Sequence, residues 1–276
     1  MTPNNNFSVL PWYRTLEEQN ARKWWVYGRQ YPLYTPGKRL LPFQMIITDD
    51  ISEEDDFGFY LYRADGTLVG EYTIPLEDSN RLHFIRDYNG MVIVVYRGDD
   101  YDLFTSLDNG QYYAKMTFNG GVERYSEIFT VVNDIAPYLK IQWYDREDFV
   151  MDSGVIVYRL GGLTKFKNEL YLQADIAKPE YTFEDEGENR DGYFFPIKQI
   201  SEKKYRFSFL ASEYLLDVMR FIRMADYITI TDKNQVYNVD NFLITPKWED
   251  EGDVAAVDAE FETATVAKKL GVGYIR

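Results

Sequence analysis

Short runs of β-branched and aromatic residues, separated by turn signals, fill most of this chain, and only two windows read as helix. Phe57-Gly58-Phe59-Tyr60-Leu61-Tyr62-Arg63 and Leu68 to Ile74 flank Ala64-Asp65-Gly66-Thr67, and an Asp-Gly step between two such runs predicts a hairpin. Arg81-Leu82-His83-Phe84-Ile85 alternates as a strand does, which makes His83 a half-buried strand residue. Met91 to Tyr96 has the length and β-branching of a buried strand. Asn119-Gly120-Gly121 turns the chain into a further run from Tyr125 to Val132. Asn133 to Pro137 is the expected boundary between two regions. Beyond it, strands are expected near 138–144, 154–159, 168–174, 203–210, 227–232, 235–245 and 254–263, with a turn at Thr231 to Gln235.

The longer helix is expected from Ser212, an N-cap residue, to Ala225. Leu215, Met219 and Ile222 share one apolar face, with Leu216 and Val218 beside them. Arg220 and Arg223 lie late in it, favourably for the helix dipole. The shorter helix is expected from Thr15 to Tyr27, with Thr15 and Glu18 at the capping-box spacing and Gly28 just past the end. It belongs to an N-terminal arm, residues 1–39, which holds Trp12, Trp24 and Trp25 of the chain's five Trp. Two readings of the arm stand: it folds back onto its own core, or it docks on a neighbouring subunit. In the second, Trp12, Tyr13, Trp24, Trp25, Tyr27 and Tyr31 are the interface residues, because aromatic anchors bury much area at little rotamer cost.

Tyr112 and Ala114 sharpen the fold class. Immunoglobulin-like sandwiches place a corner Tyr two residues before a core cysteine. Asp108-Asn109-Gly110-Gln111-Tyr112-Tyr113-Ala114 fits that spacing, with Ala114 where the cysteine would be. The expected fold is therefore mainly β, with two β-sandwich-like domains: an Ig-like one over 40–133 and a second over 138–276 that carries helix 212–225. Tyr112 is its structural corner.

Composition narrows the chemistry. The 276 residues suffice for about two domains, and 17% aromatic content excludes wholesale disorder. With no Cys, disulfides, thiolate nucleophiles and Cys-ligated metals are excluded; with one His, a two-His zinc site within the chain is excluded too. The net charge of −15 repels phosphate backbones, and no basic cluster exceeds two residues, so no sequence-specific nucleic-acid binding is expected. No apolar run approaches about 18 residues and the N-terminus lacks a basic, then apolar, leader pattern, so neither membrane nor signal peptide is expected.

The acidic runs, Asp49-Asp50 with Glu53 to Asp56 and Glu184 to Glu188 with Asp191, miss the calcium-loop spacing and read as solvated loops. Carboxylate pairs could meet in space, yet nothing selects one, and Gly271-Val272-Gly273 lacks the third glycine of a dinucleotide fingerprint. No catalytic residue, cofactor or metal is expected, and no enzyme activity; a binding or structural role is.

Several stretches carry a resemblance: Phe7 to Tyr13, Glu17 to Asn20, Lys23-Trp24-Trp25, Tyr31-Pro32-Leu33, Leu40 to Gln44, Tyr138 to Asp152, Lys178 to Tyr181, Asp191 to Pro196, Ile222 to Tyr227 and Phe242 to Trp248. Together they resemble virion proteins of tailed phages and prophages of Bacteroidetes, including the crAss-like phages, with residues 45–105 the least similar. The resemblance implies a structural tail or neck protein, assembled in the bacterial host's cytoplasm and located in the virion. It further implies a six-fold or twelve-fold homo-oligomeric ring that contacts other tail or neck proteins. An acidic lumen would suit such a ring, since like charge keeps exiting DNA from sticking. A carbohydrate-binding or host-adhesion module of a phage particle is the alternative.

Overall fold

The computed structural model describes residues 8–21, 33–47, 49, 57–72, 82–86, 92–98, 104, 107–118, 121–145, 166–248, 254–263 and 267–270. The N-terminal part contains β1 (Trp12–Tyr13), α1 (Leu16–Ala21), β2 (Tyr34–Pro36), β3 (Phe43–Ile47), β4 (Gly58–Arg63), β5 (Leu68–Tyr72), β6 (Leu82–Arg86), β7 (Val92–Tyr96), β8 (Gly110–Phe118), β9 (Val122–Ser126) and β10 (Phe129–Val132). Strands β3, β7 and β6 form one sheet in that order; β5, β4, β8 and β9 are neighbours in the other. Lettered B to G in chain order, with β5 as C′, the sheets read B-E-D and G-F-C-C′, which is the immunoglobulin arrangement. Period-two alternation builds the core between them. Phe43, Met45, Ile47, Val92 and Val94 come from one sheet, and Phe59, Leu61, Ala114 and Met116 from the other; all are buried.

Tyr112 makes the corner. Its hydroxyl donates to the Asp108 carbonyl at 2.9 Å, and Ala114 lies fully buried two residues on. Tyr112→Phe should therefore cost about 1–2 kcal/mol. Urea unfolding measures it; an unchanged midpoint would show that the corner bond contributes nothing.

The remaining elements are β11 (Leu139–Tyr144), β12 (Asn168–Leu172), β13 (Glu180–Arg190), β14 (Tyr193–Ser212), α2 (Glu213–Met219), a 3-10 turn (Ile222–Met224), β15 (Tyr227–Asp232), β16 (Gln235–Trp248), β17 (Val254–Thr263) and β18 (Ala267–Leu270). Among the described residues these strands follow one antiparallel path, β12-β11-β15-β16-β17-β14-β13, with β18 also on β14. Tyr205, Phe207, Phe209, Phe242, Val257 and Phe261 line its buried face. Leu215, Val218 and Met219 of α2, with Ile222, belong to the same cluster.

The longer helix is shorter than its periodicity predicts. After Met219 the Phe221 amide bonds to the Val218 carbonyl at 3.1 Å, the tighter i→i+3 pattern, and Ala225 is extended. Ser212 does hold the N-cap position, but its hydroxyl is buried without a hydrogen-bond partner among the described residues. In α1 the capping residues do act: the Glu18 amide donates to Thr15 Oγ1 at 3.1 Å, and the Glu18 carboxylate accepts from the Arg14 amide at 3.0 Å.

The arm reading needs correction for the part described. Trp12 and Tyr13 are buried in the chain's own core, paired to Ser126 and Tyr125 of β9, with the Trp12 ring 4.8 Å from Phe43. They fold back rather than wait for a neighbour, because an edge strand with two large rings completes the sandwich. Strand β2 pairs in parallel with β10 and meets β12 at Tyr34↔Tyr171. The expected arm thereby joins the two regions into one hydrogen-bonded sheet across the 133–137 boundary. Trp24, Trp25, Tyr27 and Tyr31 lie outside the described residues, as do the expected strand 154–159 and the acidic residues 53–56.

Candidate interaction surface

The acidic run at 184–188 is no loop: it lies within strand β13. Residues 180–190 pair with 193–204 across a two-residue turn, Asp191-Gly192, whose φ values of 52° and 81° are both positive. Such primed turns match the twist of the flanking strands, and Asp-Gly is among the dipeptides that adopt them. Eleven paired positions at about 3.4 Å each make a hairpin roughly 37 Å long. Glu and Asp are poor strand formers, but a solvated strand needs no apolar side chains if its backbone is paired. Charge on such a strand also discourages indiscriminate edge pairing.

Register separates the hairpin's two faces. Tyr181, Phe183 and Asp185 oppose Lys203, Ser201 and Gln199. The odd-numbered residues of β14 then continue as Tyr205, Phe207 and Phe209 of the core. A bulge after Glu186 shifts the pairing, so Asn189 opposes Phe194 and keeps that ring on the same face. The apolar face of the sheet therefore runs past the end of its cover. Phe183 is 73% exposed, Tyr181 57% and Phe194 52%. Glu180, Glu184, Glu186 and Glu188 occupy the opposite face, beside Lys204, Glu202 and Lys198.

That opposite face continues as the solvated side of β14, β17 and β16, where charges pair across strands. Arg206 bridges Glu180 at 2.7 Å and Glu260 at 3.2 Å; Lys204 also holds Glu260. Asp258 takes Lys247 and Ser208, each at 2.7 Å. The Lys247 and Ser208 hydrogen bonds hold the Asp258 carboxyl below its ordinary 3.8, and Lys204 holds Glu260 below 4.5. Carboxylates with depressed values stabilise the fold above their unfolded values, and that stabilisation is lost as pH falls through the folded ones. Melting temperature should therefore stay level down to about pH 5 and decline below it, shallowly for this exposed ladder. A melting temperature that rises on acidification would contradict the ladder.

Among the described residues no group of three or more His, Asp or Glu side chains is placed to hold a metal, and no helix is long and apolar enough to cross a membrane. His83 falls on strand β6 as expected. The sequence reading placed its interface residues on the N-terminal arm and missed the hairpin. The signal was present: Tyr181-Thr182-Phe183 alternates, and Asp191-Gly192 is the same turn dipeptide that marked the hairpin at Asp65-Gly66.

No protein-family profile and no curated protein matches this sequence. Among solved structures, the crystal structure of Dpr2 Ig1-Ig2 in complex with DIP-Theta Ig1-Ig3 aligns at 8% identity, covering 90% of this chain and 95% of that one, with a TM-score of 0.16. That score is too low to assign a fold, so the immunoglobulin-like assignment stands on strand order and the Tyr112 corner.

Proposed function

We propose that this protein is a structural subunit of a tailed-phage particle, a tail or neck component that works by assembling with copies of itself and with other virion proteins. One observation carries the assembly role: the apolar core face runs out along the β13–β14 hairpin and exposes Tyr181, Phe183 and Phe194 with nothing over them among the described residues. Tyr181 and Phe183 at successive levels of one face, with Phe194 three levels further along it, suit an interface, since aromatics are enriched where partners dock. The phage setting comes from the resemblance in the sequence. In that setting the solvated, acid-rich sheet face is suited to line a DNA channel.

Light scattering and negative-stain imaging of the purified chain test the reading. Annular particles several protomers in mass are expected. A monomer that recruits no partner from a disrupted particle, together with a glycan that raises its melting temperature, would favour the adhesion module instead.

A further inference from the structure

We propose that the outer edge of β13 is a docking edge: it takes an extended segment of a different protein as an added strand, one in which Lys or Arg alternates with apolar residues. The inference names the partner's chemistry for the assembly reading and rests on that reading only for its biological setting.

Strand β13 ends the sheet path, so among the described residues its outer side has no ladder partner, whereas β14 is paired on both sides. An edge strand presents a row of unpaired N–H and C=O groups along its open side, and this row runs over Glu180–Arg190. Every residue from 180 to 189 is exposed. A strand that buries no side chain on either face adds nothing to the core, and a hairpin without a core is marginal in water. An edge open in this way binds an extended segment through main-chain hydrogen bonds, while the side chains beside it select the segment's sequence.

The side chains of β13 select a basic segment. From 180 to 186 its register with β14 is unbroken. Over that stretch Glu180, Thr182, Glu184 and Glu186 share one face, and Tyr181, Phe183 and Asp185 share the other. The strand carries Glu180, Glu184, Asp185, Glu186 and Glu188 against Arg190 alone. Edge-to-edge pairing of two copies sets acidic face beside acidic face, and like charges directly opposite destabilise, so the edge rejects its own copy. A basic strand has the complementary sign. Glu180 has Arg206 at 2.7 Å and Glu186 has Lys198 at 3.5 Å, but Glu184 stands beside Ile200 and has no ion pair among the described residues. A Lys or Arg of the added strand opposite Glu184 supplies one. On the other face its apolar residues lie beside the exposed Tyr181 and Phe183 rings, and aromatic with β-branched pairs are favourable cross-strand neighbours. Lys203 on β14 and Lys269 on β18 are one and two strands inward, so the direct neighbours of an added strand are residues of β13.

A fluorescently labelled ten-residue peptide alternating Lys and Val is titrated against the full-length chain. Anisotropy reads binding, and amide exchange followed by mass spectrometry reads its place. Binding is expected, with exchange slowed across 180–190. A peptide alternating Glu and Val should not bind. The Lys-Val peptide N-methylated at three consecutive central residues keeps its charge but loses ladder donors on both edges, and should bind at least about tenfold more weakly. Glu184→Lys and Phe183→Asp, both at exposed positions and checked by circular dichroism, should each raise the dissociation constant at least about tenfold. Equal affinity for the methylated and parent peptides would mean attraction without an added strand and would overturn the proposal. So would an absence of binding up to roughly 1 mM peptide. Annular particles from a chain that takes no peptide would leave the assembly reading standing without this edge. Peptide capture at 180–190 by a chain that forms no annuli would leave this edge standing without the ring.

Discussion

Glu169→Ala should cost up to about 3–5 kcal/mol of unfolding free energy, because it leaves the half-buried Arg39 and Lys140 without their counter-ion. Glu169 lies on β12 with its side chain 3% exposed. One carboxylate oxygen takes the Arg39 guanidinium; the other takes Lys140 and Gln142, each at 2.8 Å. Arg39 also donates to the Gly98 carbonyl at 2.6 Å and to the Tyr171 hydroxyl at 3.1 Å. The cluster gathers a residue after β2, one after β7, and residues of β11 and β12. It ties the Ig-like region to the second region where the sheet continues through β2. Burial, and then the Glu169 charge, pushes the Tyr171 phenol above its ordinary value of 10.0, so it stays protonated. A raised phenol stabilises the fold below pH 10, and that contribution is lost as pH rises through the folded value. Glu169→Gln keeps an acceptor for one donor and should cost less than the alanine variant, though it still strands a charge. Urea unfolding of both variants measures this. A loss under about 1 kcal/mol for Glu169→Ala would mean that solvent already screens the cluster.

Trp12→Ala is expected to be as severe, about 3–5 kcal/mol, through a cavity rather than a charge. The side chain is 1% exposed and packs against Phe43, which stacks in turn on Tyr96 at 5.4 Å. Its indole N–H has no hydrogen-bond partner among the described residues, so no bond is lost. Trp12→Phe should accordingly be much milder, since it refills most of the space and removes a buried donor. The surrounding strap is polar and directional. Tyr13 donates to Glu127 at 2.7 Å, the Glu127 amide donates to the Pro11 carbonyl at 2.9 Å, and Gln19 reaches the Ser126 carbonyl. Removing residues 1–21 should therefore unfold the Ig-like region rather than only block assembly. Retention of a cooperative thermal transition by the truncated chain would contradict that.

These two variants mark where sequence reasoning stopped. Trp12 is the same aromatic residue whether it anchors a neighbour or fills its own core; only Phe43 and β9, far along the chain, decide. Glu169 carries no local sign of its role, because its partners come from residues 39, 140 and 142.

What the sequence determined by itself is local. The turn at Asp65-Gly66, the Thr15 cap, the start of α2 after Ser212 and the span of β17 follow from residues within a few positions of one another. Caps, primed turns and side-chain periods are short-range physics. Tyr112 and Ala114 were legible for the same reason, since the corner bond closes over four residues. The acidic strand β13 was not. Its propensity argues for a loop, and what overrides it is an eleven-pair ladder to β14. Tertiary structure alone decided that Trp12 and Tyr13 are core and that the core's apolar face emerges on the hairpin with nothing over it among the described residues. Burial of a side chain depends on which distant elements lie over it, and no window of sequence contains them.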